Sequence, residues 1–128
     1  MSKMPFEFVL EALLPADPEV KQMFGCHAIY IGEKIVLVLR DRPDYVEDNG
    51  VWIATDLSHH QSLLEDFPAM RSITVFGPKV SNWQVLPVDA DDFEESTVKM
   101  CELLLKGDQR IGRIPKKKKK TPRRSPGR

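Results

Sequence analysis

The pattern that most constrains the fold of this chain is a pair of apolar runs joined by a very short polar link. The runs are residues 28–31 and 35–39, and the link between them is Gly32, Glu33 and Lys34. A Gly-containing link of this length joins neighbouring antiparallel strands. The pattern therefore predicts a β-hairpin, and nothing in it is typical of a reaction centre.

The length and the cysteine content bound the class of protein. At 128 residues the chain has room for one domain with a modest core. It has no apolar run of about 18 residues, and Glu7 and Glu11 interrupt its first segment, so we expect no membrane span or signal peptide. Cys26 and Cys101 stand alone and far apart, which favours buried thiols over a disulfide. These features predict a soluble, cytoplasmic protein.

Apolar spacing assigns the other elements. Helical spacing predicts helices over residues 6–14, 58–66 and 93–105. Runs of β-branched and aromatic residues predict further strands over residues 51–55, 72–76 and 82–86. Gly25 is interpreted as a bend inside the first strand of the hairpin. The order α-β-β-β-α-β-β-α predicts an α+β protein of two layers, with an antiparallel sheet and its helices on one face.

The charge of the chain is divided unevenly along its length. Residues 1–109 hold 9 lysines and arginines against 19 acidic residues, a balance of −10, whereas residues 110–128 hold 10 basic residues and no acidic one. Five consecutive lysines repel one another and bury no apolar surface. We therefore predict one folded domain over residues 1–109 and a disordered basic tail over residues 110–128.

The tail is the strongest functional signal in the sequence. It offers up to eight cations for phosphate groups: Lys116, Lys117, Lys118, Lys119, Lys120, Arg123, Arg124 and Arg128. Each phosphate that a cation neutralises adds affinity that depends on salt and not on sequence. The tail holds no aromatic residue to stack on bases, so it is predicted to bind a nucleic-acid backbone. The alternatives are a merely solvated tail and a tail folded back on the acidic body.

The hairpin region also suggests a family. Met23, Phe24 and Gly25, the hairpin with Tyr30 and Gly32, and the order of elements resemble the N-terminal domain of the TfoX competence-regulator family. The helix ending at residues 64–68 and the Trp-bearing strand at residues 82–85 are similar to the related MmcQ/YjbR proteins. The resemblance covers most of residues 5–106. It implies a small two-layer α+β domain without established chemistry, linked to DNA-associated regulation.

The family motif itself allows two interpretations. Met23 and Phe24 could form a binding surface. Apolar residues next to a chain reversal more often pack in the core. We therefore interpret Met23, Phe24 and Gly25 as structural residues.

Residues with catalytic or metal-binding chemistry lack the spacing that such sites need. Cys26 and His27 are neighbours in a predicted strand, and neighbouring strand residues point to opposite faces. No Cys-x-x-Cys or His-x-x-x-His accompanies them or the pair His59 and His60. The acidic residues between 89 and 95 fit the start of a helix better than a calcium loop. We expect no catalytic residue, metal or cofactor.

Three functions follow, in decreasing order of support. The first is a non-enzymatic TfoX-like protein in a regulatory or nucleic-acid-associated role, whose body meets a protein partner. The second is an interaction or dimerisation module without nucleic acid, because the strand at residues 35–39 is apolar on both faces. The third is a small enzyme that uses Cys26 or His27. None of the three requires a membrane.

Overall fold

A computed structural model describes residues 5–77 and 79–115 of the chain. These residues form three α-helices and six strands, in the order α1 (Glu7–Leu13), β1 (Glu19–Met23), β2 (Cys26–Ile31), β3 (Lys34–Arg40), β4 (Gly50–Ile53), α2 (His60–Asp66), β5 (Arg71–Ser72), β6 (Gln84–Pro87) and α3 (Phe93–Leu105). Short 3₁₀ turns at Leu14–Ala16, Val46–Asp48 and Leu57–His59 lie between them. Within the part of the chain described here, no helix is long and apolar enough to cross a membrane.

The strands form a single antiparallel sheet in the order β1-β2-β3-β4-β6-β5. The α+β class is therefore confirmed, and the predicted order of elements is roughly matched. The structure adds one strand, because Phe24 and Gly25 do not bend a single strand but reverse the chain between β1 and β2. Their φ angles are 51° and 77°, which is the left-handed conformation that two-residue hairpin turns require.

The predicted hairpin is present as β2 and β3. Ile31 pairs with Lys34 across a link of two residues, and Gly32 in that link has a φ of 63°. The register between the strands shifts after Ile29. The shift places both Val36 and Leu37 among the residues that pack under the helices, as a β-bulge does.

The helices cover one face of the sheet, as predicted. All three contribute buried side chains to one apolar cluster, including Val9 of α1, Leu63 of α2 and Met100 of α3. This cluster also holds sheet residues such as Leu39 and Leu86. The helices therefore form the second layer that the order of elements predicts.

The opposite face of the sheet, here called the open face, carries a second apolar cluster. It is built from sheet residues and from the segment that follows β5, namely Cys26, Ala28, Ile35, Val38, Trp52, Ala54, Ile73 and Val85. Among the residues described, no helical side chain belongs to this cluster. Instead, Met23, Tyr30, Val75 and Trp83 pack against it while staying partly exposed.

The predicted strand at residues 72–76 is wrong beyond Ser72. β5 ends there, and Asp48 holds the next residues in a turn. The buried carboxylate of Asp48 accepts hydrogen bonds from the backbone N–H groups of Thr74, at 2.7 Å, and Val75, at 2.8 Å. The β-branched residues favoured a strand, but these donors bond to a carboxylate and not to a neighbouring strand.

The folded body extends past the expected boundary at residue 109. Ile111 is 1% exposed within the helix-side core. The N–H of Gly112 donates to the carbonyl of Ala54 at 2.7 Å, and Arg113 exchanges two backbone hydrogen bonds of 2.9 Å with Ile35. The expectation of disorder from residue 110 is thus wrong as far as Arg113, because the segment buries an isoleucine and pairs with β3.

The side chain of Arg110 also holds this segment against the body, through ion pairs and a hydrogen bond. Its guanidinium lies 2.7 Å from a carboxylate oxygen of Asp108 and 2.9 Å from one of Asp66, and it donates to the hydroxyl of Ser62 at 2.7 Å. The side-chain hydrogen bond from Arg110 lowers the pKa of Asp108, and the same bond raises the pKa of Arg110. Arg110 therefore has its charge satisfied inside the body.

Candidate functional site

A pocket of about 450 Å³ opens on the open face of the sheet. Its base is formed by Cys26, Val38 and Trp52, which come from three adjacent strands and are all buried. Val38 and Trp52 are directly paired across β3 and β4, so the floor is part of the regular sheet. Apolar pockets of this size with a few polar groups are typical of small-ligand sites.

Aromatic side chains form the walls of this pocket. The ring of Trp52 lies 5.9 Å from that of Trp83 and 6.3 Å from that of Phe76, measured between ring centroids. The indole Nε1 of Trp52 donates to the backbone carbonyl of Asp48 at 2.9 Å. Its polar end is therefore satisfied inside the protein, and its apolar surface is left to the pocket.

Two phenylalanines stand at the mouth with most of their surface in water. Phe24 is 86% exposed and Phe76 is 72% exposed. The expectation that Phe24 fills the core is wrong, because the tight turn between β1 and β2 projects its side chain outward. Met23, by contrast, packs against the open-face cluster and lines the pocket as well.

Gly25 has two roles at the same mouth. Its φ of 77° suits glycine, and a Cβ at this position would overlap the guanidinium of Arg42. The resemblance motif thus surrounds the pocket, because Met23 and Phe24 line it and Gly25 leaves room for Arg42.

Charged side chains occupy one side of the rim. Arg40 is 3% exposed, and it donates to Asn49 Oδ1 at 2.7 Å and to the carbonyl of Tyr45 at 3.0 Å. Asp44 Oδ1 lies 3.4 Å from Arg40 Nη2 and 3.4 Å from Arg42 Nε. With two arginines and one aspartate, the rim carries one more positive than negative charge.

Asn49 holds the rim loop in place. Its side-chain oxygen accepts from the N–H of Arg42 at 2.9 Å, and its amide nitrogen donates to the carbonyl of Arg42 at 2.8 Å. The same oxygen accepts from Arg40. A buried amide with partners on both ends fixes a loop, so both arginines are held beside the apolar floor.

The thiol of Cys26 lies in a buried setting at the base of the pocket. Burial raises the pKa of its thiol, an effect that the nearby charges of Arg40 and Arg42 only partly oppose. A protonated thiol is a poor nucleophile at neutral pH. Since Cys26 and Ala28 belong to the open-face cluster, strand alternation directs His27 to the helix side, so the two residues do not form a catalytic pair.

Cys101, the second cysteine, is more deeply buried than Cys26. Burial raises the pKa of Cys101 to about 12, and its thiol lies under α1, 4.0 Å from the carbonyl of Val9. Both cysteines are free. The prediction of separate buried thiols is confirmed.

The other residues with metal-binding chemistry are not gathered into a site. In the ranges 5–77 and 79–115, no group of three or more His, Cys, Asp or Glu side chains could hold a metal ion. Asp92 accepts a 3.0 Å hydrogen bond from the hydroxyl of Ser96 in the first turn of α3. That contact agrees with the interpretation of the acidic run as a helix start.

The pocket contains several residues that the sequence did not single out. Sequence reasoning missed Arg40, Arg42, Trp52, Phe76 and Trp83 as site residues. Val38 and Trp52 share a face because they pair directly across β3 and β4. Trp83 lies two residues before Val85 of the open-face cluster. Phe76 follows the turn that Asp48 holds. That turn has no signature in the local sequence.

The basic residues from Lys116 to Arg128 lie outside the described residues, so their proposed contacts stay a prediction. Comparison of the chain with protein-family models, with curated proteins and with solved structures finds no match. The resemblance to TfoX-like domains likewise stays a prediction from the residues that carry it.

Proposed function

We propose that this chain is a non-enzymatic, TfoX-like cytoplasmic protein with a regulatory, nucleic-acid-associated role. Its body is a binding domain that meets a protein partner, and its Lys/Arg-rich tail supplies non-specific phosphate contacts. The observation that carries the proposal is the separation of charge along the chain. Residues 1–115 hold 11 basic against 19 acidic residues, and residues 116–128 hold eight basic residues and no acidic one.

The ion pairs of the body sharpen this separation. Arg110 is paired with Asp108 and Asp66, and Arg113 Nε lies 3.7 Å from Asp56. These two arginines, which the sequence alone assigned to the tail, are engaged within the body. The phosphate-binding role therefore rests on the eight basic residues from Lys116 onward.

The character of the pocket supports a binding role without catalysis. Its walls are aromatic, its charges are held by Asn49 and Asp44, and the pKa of its thiol is raised by burial. This set of groups can bind and orient a ligand. General acid–base or nucleophilic chemistry would need a group poised to exchange a proton or attack near neutral pH.

Replacing the five lysines from Lys116 to Lys120 by glutamine is expected to weaken binding to duplex DNA. Each lost phosphate contact removes about 0.9 from the magnitude of the slope of log affinity against log salt, so five lost contacts should reduce that magnitude by about 4.5. Fluorescence anisotropy with labelled duplexes of unrelated sequence, over a salt series, measures both the slope and the sequence dependence.

The matched control replaces the same five lysines by arginine, which keeps the charge and should keep the slope. Equal binding by the glutamine variant and the unchanged chain would contradict the role of the tail. The absence of DNA binding at low salt would contradict it as well.

The exposed phenylalanines favour a second candidate, a protein-interaction or dimerisation module without nucleic acid. The sequence suggested dimerisation because residues 35–39 are apolar on both faces. That argument no longer supports a second copy, because both faces of β3 are buried within the chain. Phe24 and Phe76 provide a new motive, since two large apolar side chains stand exposed beside one pocket.

For this second candidate, Phe76→Ser is expected to abolish self-association of the full chain. Light scattering over a range of concentrations measures the molar mass of both proteins. Val80→Ser is the matched control, because Val80 is 69% exposed but does not line the pocket. A monomer at every concentration would exclude the second copy as partner.

A further inference from the structure

The turn at the pocket mouth places Phe24 in a backbone conformation that is unfavourable for phenylalanine. Two-residue turns with positive φ at both positions favour Asn-Gly, because asparagine tolerates the left-handed conformation. Here Phe24 holds a φ of 51° and leaves 86% of its surface exposed. Neither the backbone conformation nor the burial of Phe24 favours a phenylalanine there, which indicates a role outside folding.

The charge of the rim selects the kind of ligand. Arg40 is buried and already donates hydrogen bonds to Asn49, Tyr45 and Asp44. Arg42 contacts Asp44 through Nε. Within residues 5–77 and 79–115, its two terminal nitrogens donate no side-chain hydrogen bond. Those terminal nitrogens form a fork that fits a carboxylate.

The balance between the three charges favours a monoanion. With Asp44 paired to both arginines, the rim has a net charge of one positive unit. Asp44 has 57% of its side chain exposed, so it can turn toward water when an anion arrives. The acidic charge elsewhere on the body is screened beyond about 8 Å at physiological salt.

We propose that this pocket binds a small monoanionic carboxylate with a flat, aromatic body. The ring lies between Trp52, Trp83 and Phe76, with Phe24 closing the mouth, and the carboxylate pairs with Arg42. The cavity of about 450 Å³ accepts a ligand of this kind. The inference is independent of the tail, because every residue it uses belongs to the body.

The test uses 4-phenylbutyrate as the probe, with its amide as a neutral isostere and 4-phenylbutylamine as the cation. The two tryptophans of the chain are Trp52 and Trp83, and both line the pocket, so tryptophan fluorescence reports its occupancy. We expect the carboxylate to bind with a dissociation constant of about 100 µM, as for other ligands of this size. The amide and the amine should bind at least about tenfold more weakly.

Neighbouring variants should change the affinity in opposite directions. Arg42→Gln is expected to lower the affinity for the carboxylate about tenfold and to leave the affinity for the amide unchanged. Asp44→Asn should raise the affinity for the carboxylate about threefold. Phe24→Asn should raise the urea midpoint of unfolding, because Asn-Gly suits the turn. The same variant should bind 4-phenylbutyrate more weakly, because it removes the ring at the pocket mouth. A variant that is more stable but binds less tightly cannot be explained by damage to the fold.

Two controls separate the pocket from other cations. Lys106→Gln removes an exposed charge outside the pocket, and glutamine at Lys116 to Lys120 neutralises the tail. Both should leave the affinity for 4-phenylbutyrate unchanged. Equal affinity for the carboxylate, amide and amine, tighter binding of the amine, or no fluorescence change with any probe would overturn the proposal.

Discussion

Gly50→Ala is expected to lower the free energy of unfolding by about 4 kcal/mol or more, which is a large part of the roughly 5–15 kcal/mol that stabilises a typical domain. Gly50 has a φ of 142°, and a Cβ there would overlap the backbone carbonyl oxygen of Leu86. The obstacle belongs to β6, to which β4 pairs. An alanine can therefore be accommodated only by separating two central strands.

Urea unfolding followed by circular dichroism and tryptophan fluorescence measures this loss. Gly32→Ala is the matched control, because Gly32 also has a positive φ, of 63°, but no other atom lies within 4 Å of a Cβ built there. It should cost only about 1 kcal/mol, for the left-handed conformation. A loss at Gly50 no larger than the loss at Gly32 would show that β4 and β6 can separate freely.

Asp48→Asn is expected to lower the free energy of unfolding by about 3 kcal/mol. The Asp48 carboxylate is fully buried and lies 3.1 Å from Arg71 Nη1. It also accepts the backbone N–H groups of Thr74 and Val75. An asparagine side chain removes the charge and turns an NH₂ donor toward at least one of these donors.

The same substitution should alter the pocket. The turn that Asp48 holds carries Val75 and Phe76 to the pocket, and Phe76 packs against Trp52. We expect a red shift of tryptophan emission in the folded variant, as the released segment lets water reach the indole rings.

Asp41→Asn is the control for Asp48→Asn, because Asp41 is exposed. Substitutions at such surface positions usually change stability by no more than about 0.5 kcal/mol. A native emission maximum and unchanged stability in the Asp48 variant would show that the carboxylate does not organise this turn.

The local sequence pattern was sufficient to predict those helices and strands whose formation depends mainly on the residues within them. The two apolar runs around Gly32 predicted the hairpin, and helical spacing predicted α3. The additional strand β1 was missed because Phe-Gly is an unusual pair for a two-residue turn. Residues 72–76 were misassigned because their β propensity is overridden by a carboxylate 26 residues earlier in the chain.

The pocket illustrates the same division between local and long-range causes. Met23, Phe24 and Gly25 were identified from sequence, but as structural residues, because exposure of a turn residue cannot be read from its neighbours. Arg42 gains its position from Asn49 and from the absence of a side chain at Gly25. No periodic pattern in the sequence relates Arg42 to Asn49 or to Gly25.

The boundary between body and tail shows the limit of composition as a guide. Composition separated an acidic body from a basic end, but Ile111 and the pairing of Arg113 with Ile35 extend the body beyond the first basic residues. A single buried isoleucine and a few backbone hydrogen bonds hardly change the average composition, although they order that segment.

By itself the sequence determined the α+β class, the hairpin, the helix face and the uneven distribution of charge, because these follow from periodicity and composition within short windows. Only the tertiary structure decided that the open face holds a pocket, that the Met-Phe-Gly turn stands at its mouth and that Arg42 lies on its rim. The positions of Phe76 and Arg42 depend on hydrogen bonds that the buried side chains of Asp48 and Asn49 make with backbone groups elsewhere in the chain. Such pairings form only after the sheet has brought the segments together.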